Sequence, residues 1–383
     1  MSDLHHGHSR RDFFTRSFGG ILAGASLLEE AFFRANWARA QARTATAGLF
    51  TIEKVADGVY AALAKPAIMT NCNAVIFVLS REVLVVDAHS KPSAAAALLA
   101  QIRKEVTDKP VRYLVNSHFH WDHTQGDAAY KAANPKIDII ASDATRQLMT
   151  QIGRDRLKES LDSVPGMIDT LRARAAKARY AQDRDWANDQ IRQLQAYQEE
   201  MKSYPLELPT VTFSKTHVIQ DSAGDLHLEF HGRAHTAGDI QVFSPSKKVV
   251  AAGDTIIGFL PNLNDGYPRP WPKTIDSISQ LPFDHVVGGH GPVQHGRARM
   301  RQFRNYIDDL IARVERAKKA GVPLTELQRM ITAQSLPTLK DQGFGTYVAE
   351  NLANHSVYIG ARTPLEDRLT GNIAAIYNNL DRT

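Results

Sequence analysis

At 383 residues the chain is long enough for one large domain or two small ones, and its 43% hydrophobic and 23% charged residues are ordinary for a soluble globular protein. A formal charge of +5, without an aromatic-and-basic stripe, gives no case for nucleic acid as a partner. The single cysteine, Cys72, excludes an intrachain disulfide and a cysteine-built zinc site, and it reads as a small buried hydrophobe.

The N-terminal 42 residues read as an export signal rather than as part of the fold. Paired Arg10 and Arg11 in "SRRDFF" precede a weakly apolar run, "SFGGILAGASLL", and small residues ending at Ala42 offer a cleavage site. That order of parts is a twin-arginine signal. The run falls well short of the ~20 apolar residues a membrane span needs. Glu29, Glu30 and Arg34 interrupt it, so an amphipathic helix is the competing reading. The expectation is delivery by the twin-arginine export machinery to a periplasmic or secreted location, with no stable membrane insertion.

From Leu49 onward, short β-branched runs alternate with turn residues: "LFTIEKV", "GVYAALA", "NAVIFVLS" and "EVLVVD". "KPSAAAALLAQIRKEV" has helical periodicity, with Pro92 near its start. "VRYLVNS" is a strand, "TQGDAAYKAA" opens a helix, and "KIDIIAS" is a further strand. Residues 143–204 break the rhythm with long, charged helical sequence. Ile168, Leu171, Ala175 and Ala178 form one apolar stripe, and Ile191, Leu194 and Met201 another. This is a helical hairpin inserted between strands, whose basic residues form either a solvated face or a wall of an active site. Strands resume at "TVTFSKTHVI", "DLHLEFHG", "DIQVFS" and "KKVVAAGD". A helix over Thr274–Leu281 precedes a last strand, "HVVGG", and residues 297–383 are helical. Two β-rich stretches followed by helices predict a β-sandwich with helices on its outer faces, an α+β domain over residues 43–296.

Between "VRYLVNS" and the next helix stands "NSHFHWDHTQG", with three histidines and an aspartate in six positions. In extended chain, side chains at i and i+2 point the same way, so His118 and His120 can reach one ion. The turn into a helix aims Asp122 and His123 at a second point. Imidazole and carboxylate suit Zn²⁺, but a catalytic zinc usually has three protein ligands, so partners must come from elsewhere. "GRAHTAGD" offers His235, "AAGDT" offers Asp254 and "GGHGP" offers His290, each at a predicted strand end beside glycine. The set closes into His118, His120 and His235 around one ion, and Asp122, His123 and His290 around the other, with Asp254 as a bridge.

His-X-His-X-Asp-His followed by an isolated His, Asp and His resembles the metallo-β-lactamase superfamily over roughly Leu49 to His295, apart from the insertion. The resemblance implies an αββα sandwich with two Zn²⁺ per chain at the edge between the sheets. It makes Asp87, ending "VLVVD", a residue that orients a ligand histidine. Asp254 as bridge resembles the glyoxalase II-like and lactonase branches. The expected reaction is hydrolysis of an ester, thioester, lactone or amide in a small molecule by a metal-bridging hydroxide, with Asp122 helping to move the proton. Ile257 stands where β-lactamases with a Cys-containing site place a substrate-gripping Lys. The competing readings are a β-lactam hydrolase, a mononuclear iron persulfide-type oxygenase, and a non-catalytic metal protein. Tyr267, Arg269, Trp271 and Lys273, in the loop after Asp254, are the expected substrate contacts. His89, His285, His295 and His355 read as surface or structural, with His89 the nearest candidate for the site wall.

Overall fold

The structure is a computed structural model that describes residues 48–202, 204–355 and 363–382. The twin-arginine motif and its cleavage region lie outside the described residues. Among the described residues no helix is long and apolar enough to cross a membrane.

Two sheets face each other. The first runs β1 (Phe50–Ala56), β2 (Val59–Ala64), β3 (Ala74–Val78), β4 (Val83–Val86), β5 (Val111–Val115), β6 (Asp138–Ser142) and β7 (Val211–Phe213), in sequence order across the sheet. β1 to β4 pair antiparallel, and β4 to β7 pair parallel. Parallel neighbours need a crossover. α1 (Pro92–Glu105) supplies the first, α2 (Trp121–Thr124) and α3 (Asp127–Ala133) the second, and the hairpin of α4 (Asp143–Lys177) and α5 (Ala181–Met201) the third. The second sheet holds β8 (Thr216–Ile219), β9 (Leu226–Glu229), β10 (Gln241–Ser244), β11 (Val249–Gly253), β12 (His285–Gly288) and β13 (Gln294–His295), antiparallel except for β11 beside β12.

Alternation along the strands sets the layers. On β3, Val75 and Phe77 enter the core between the sheets, where Leu228, Val242 and Val287 come from the other side. Ala74 and Ile76 point the opposite way, against Ala94, Leu98 and Ile102 of α1. Behind the second sheet, α6 (Trp271–Ile278) and α7 (Ala298–Lys319) share a large core with α8 (Leu324–Met330), α9 (Pro337–Lys340), α10 (Phe344–Ala353) and α11 (Pro364–Asn379). The result is the expected αββα sandwich, with a helical hairpin inserted and a helical C-terminal extension.

Two boundaries differ from the sequence expectation. The run "TVTFSKTHVI" is two strands, with β7 closing the first sheet beside β6 and β8 opening the second beside β9. The crossing lies at Ser214 and Lys215, two polar residues that interrupt the β-branched run too briefly to signal a change of sheet. The helix expected from Thr274 begins at Trp271, with Pro272 in its first turn, a position where the missing N–H costs nothing.

Candidate metal centre

The seven proposed ligands all sit at or beyond strand ends, on one edge of the sandwich. β5 runs into Ser117 and His118, α2 carries Asp122 and His123, β11 ends beside Asp254, and β12 ends two residues before His290. His235 lies in the β9–β10 loop. That loop is pinned by Asp239, whose carboxylate accepts from Thr236 N at 2.8 Å and Thr236 Oγ1 at 2.5 Å. Five of the seven are buried histidines, and Asp122 and Asp254 keep side-chain exposures of only 14% and 10%.

Three ring nitrogens converge. His120 Nδ1 lies 3.0 Å from His118 Nε2 and 2.9 Å from His235 Nε2. Nitrogen ligands about 2.0 Å from a tetrahedral zinc stand roughly 3.3 Å apart, so this triplet is close to the spacing one ion imposes. Beside it, His290 Nε2 lies 3.2 Å from Asp122 Oδ2, and His123 Nε2 is 3.6 Å from the same oxygen. Asp254 stands between the sets: Oδ1 is 3.5 Å from His123 Nε2, and Oδ2 is 3.4 Å from His235 Nε2 and 3.5 Å from His290 Nε2. Donor atoms of His118, His120 and His235 cluster within 4.8 Å of one another, as do those of Asp122, His123 and His290. The structure thus brings together the two groupings expected from sequence, with Asp254 within reach of both.

The hydrogen-bond network selects which nitrogen each ring offers. Asp87 Oδ2 accepts from Ser117 Oγ at 2.9 Å and from His123 Nδ1 at 2.8 Å, while Oδ1 accepts from Ser117 N. Ser117 Oγ in turn lies 3.0 Å from His118 Nδ1. Assigning Nδ1–H to both His118 and His123 turns their Nε2 lone pairs toward the cluster. His123 Nε2 and Asp254 Oδ1 are buried without a hydrogen-bond partner, a costly arrangement unless a cation is meant to satisfy them. Glycine lets the parts close up: a Cβ on Gly289 would lie 2.2 Å from Asp254 Oδ1 and 2.8 Å from His123 Cε1.

Charge follows the same division. Burial drives His118 well below the usual imidazole range and His235 to about 3, so both rings are neutral lone-pair donors. Burial acts on His290 too, but Asp254 and Asp122 outweigh it and raise that ring to about 9. In Asp254 burial is likewise overcome, here by His290 and His123, and the carboxyl is held well below its ordinary range. Protons on one half of the cluster therefore balance the carboxylates. A divalent cation supplies the same positive charge and displaces those protons when it binds. The donor set, its spacing and its orphaned lone pairs fit a pair of divalent ions.

The residues expected as substrate contacts in the loop after Asp254 take different positions, with the Trp271 ring 5.6 Å from that of His235. Trp271 is fully buried in the core behind the second sheet, with its indole N–H donating to Thr255 O at 2.9 Å. Arg269 pairs outward with Glu315 at 2.9 Å and Asp381 at 3.8 Å. Tyr267 packs beneath the guanidinium groups of Arg233 and Arg382, and Lys273 is exposed on α6. The loop's contribution is Asp265, which sequence reasoning missed: its Oδ2 lies 2.8 Å from His120 Nε2. His89, the candidate for the site wall, is fully buried. Its ring is buried against Phe50 at 4.2 Å, with Nδ1 3.0 Å from Cys72 O. His355, expected at the surface or in a structural role, instead lies with its ring 4.4 Å from that of His290. Arg368 on α11 has no hydrogen bond or ion pair among the described residues. Burial pushes its pKa down, and the charges of Asp254 and Asp122 are near enough to oppose that shift.

Comparison with known proteins places this geometry in context. The sequence pattern of the Metallo-beta-lactamase superfamily matches residues 68–290. A linear primary-alkylsulfatase from Pseudomonas sp. (strain ATCC 19151) is 24% identical over 241 residues, covering 60% of this chain but only 43% of that protein. Among solved structures, a double mutant of the sec-alkyl sulfatase PisA1 matches with a TM-score of 0.64 at 16% identity, over 91% of this chain and 52% of that one. A metallo-beta-lactamase from Pontibacter korlensis matches with a TM-score of 0.50 at 16% identity, over 68% of this chain and 99% of that one. These structural likenesses show a shared fold.

Proposed function

The chain belongs to the metallo-beta-lactamase superfamily, and from that premise we propose that it is a metal-dependent hydrolase cleaving an ester, thioester, lactone or amide bond in a small molecule. The observation that carries this reading is the convergence of seven buried or nearly buried His and Asp side chains into two donor sets that share Asp254. His118, His120 and His235 would hold one Zn²⁺, and Asp122, His123 and His290 the other. Such a pair supplies Lewis acidity, lowering the pKa of water toward neutrality and polarising an acyl or related oxygen.

The remaining work falls to the chain. Asp254, facing both donor sets, keeps them in register. Asp122 is the more exposed of the two site carboxylates and sits 3.2 Å from His290, so it is the group placed to take a proton from the attacking water. His355 and Phe259, in ring contact with each other and with His290, shield that side from bulk solvent.

The test is a panel on the full chain, made metal-free and reloaded with zinc: an activated aryl ester, a thioester, a lactone, a β-lactam and an alkyl sulfate. The reading requires turnover of at least one ester-type substrate, lost with a chelator and restored by zinc. Activity that survives complete metal removal would overturn it. A second reading, cleavage of sulfate esters, draws support from Arg368, a cation that feels the charges of Asp254 and Asp122 and has no ion pair among the described residues, and from the names of the alkylsulfatase relatives. Preference for the alkyl sulfate, lost in Arg368→Leu, would select it over acyl hydrolysis.

A further inference from the structure

His118 and His235 turn Nε2 toward the converging triplet, but His120 turns Nδ1. An imidazole that offers Nδ1 to a cation carries its proton on Nε2, the minority choice among these three rings, and something must hold it. Asp265 Oδ2 stands 2.8 Å from that nitrogen. The other oxygen of the same carboxylate, Oδ1, accepts from Arg156 Nη2 at 2.8 Å. The three side chains are 10%, 16% and 22% exposed, so the chain of contacts is largely sheltered from screening. Arg156 belongs to α4, one arm of the inserted hairpin, and its guanidinium also lies 6.0 Å from the ring centre of Phe119, beside His120.

The hairpin is fastened to this part of the site by further contacts. Tyr197 of α5 donates to Gln125 Oε1 at 3.1 Å, and Tyr204 just beyond donates to Thr124 O at 3.2 Å. The Trp121 and Tyr197 rings meet at 6.5 Å. The insertion is therefore docked on the segment that carries the histidines.

We propose that Arg156 and Asp265 are positioning residues through which the helical hairpin fixes the tautomer and orientation of His120, and so sets the affinity of one of the two metal positions. This rests on the reading of the cluster as a metal centre. Neither residue touches the substrate in this account. Arg156 keeps Asp265 aimed, Asp265 holds the Nε2 proton of His120, and Nδ1 is left as the donor. Outer carboxylates of this kind typically tune metal affinity by roughly 10- to 100-fold.

The test measures zinc binding in the full-length chain by equilibrium competition with chelators of graded strength, with the melting temperature of the metal-free protein alongside. Asp265→Ala and Arg156→Ala should each weaken one of the two zinc equivalents by roughly 10- to 100-fold. The other equivalent and the metal-free melting temperature should change little. Asp265→Asn, which keeps shape and an acceptor oxygen, and Arg156→Lys should recover part of the loss. Arg156→Ala added to Asp265→Ala should cause no further loss, because the two act in series. Unchanged zinc affinity in Asp265→Ala, or full additivity in the double variant, would overturn the relay while leaving the metal centre standing. A wild-type chain that binds no zinc would remove the metal centre itself, and the relay with it.

Discussion

Two carboxylates grip two of the site's histidines, and they belong to different parts of the molecule. Asp87 is buried directly after β4, with a positive φ of 70°, an uncommon conformation for a residue other than glycine. It accepts from Ser117 N, Ser117 Oγ and His123 Nδ1. Asp265 lies in a loop 145 residues after the histidine it meets, and its second oxygen depends on an arginine from the inserted hairpin. The first carboxylate is part of the fold, and its strain is held by surrounding sheet structure. The second is assembled from two peripheral segments. Fold stability and metal affinity should therefore separate between them.

The largest effect should come from Asp87→Ala. It leaves buried donors on Ser117 and His123 without an acceptor, which costs about 3–5 kcal/mol. Thermal or denaturant unfolding of the metal-free chain should show that loss, together with loss of bound metal. A metal-free stability within about 1 kcal/mol of wild type would erase the contrast, since that is the scatter of ordinary surface changes. Asp265→Ala is the counterpart: it should lower metal-free stability by clearly less than Asp87→Ala, because the groups it leaves, His120 and Arg156, keep some contact with water whereas Ser117 and His123 are fully buried. A loss as large as that of Asp87→Ala would show the two carboxylates to be equivalent.

This contrast also explains what the sequence could reveal. The histidine motif was legible because its spacing is local: extended chain puts His118 and His120 on one side, and the turn into α2 redirects Asp122 and His123. His235, Asp254 and His290 were legible because each follows a strand signal and stands beside glycine. Asp265 was not, because nothing local ties it to His120 or to Arg156, and the loop around it draws the eye to its aromatic and basic residues. Trp271 looks like a substrate contact by residue type, yet the start of α6 carries it into the core. His355 reaches His290 only through the packing of the C-terminal helices, which no spacing rule anticipates.

A third carboxylate in this neighbourhood sharpens the comparison further. Asp127 is fully buried; its Oδ1 accepts from Asn116 Nδ2 at 3.0 Å, and its Oδ2 has no partner. Burial raises its pKa well above the usual carboxyl range, against the opposing Asn116 contact. Such a group contributes stability below its unfolded pKa, and that contribution is lost as pH rises through the folded value. Asp127→Asn keeps the neutral form at every pH. The melting temperature of the variant relative to wild type should therefore rise as pH increases above about 4, the unfolded aspartate value. A constant difference across that range would show that Asp127 ionises in the fold without penalty.

The smallest effect belongs to Lys273. The side chain is exposed on α6, so Lys273→Ala should leave kcat and KM of whichever panel substrate turns over within about twofold of wild type. A large rise in KM alone would return this loop to the substrate site.

The central claim, that two donor sets share Asp254, is tested most directly by titrating the metal-free full-length chain with zinc and counting equivalents bound. The account predicts two per wild-type chain, with Asp254→Ala losing at least one because that carboxylate faces both sets. One tightly bound equivalent in the wild type, or two retained undiminished in Asp254→Ala, would contradict it.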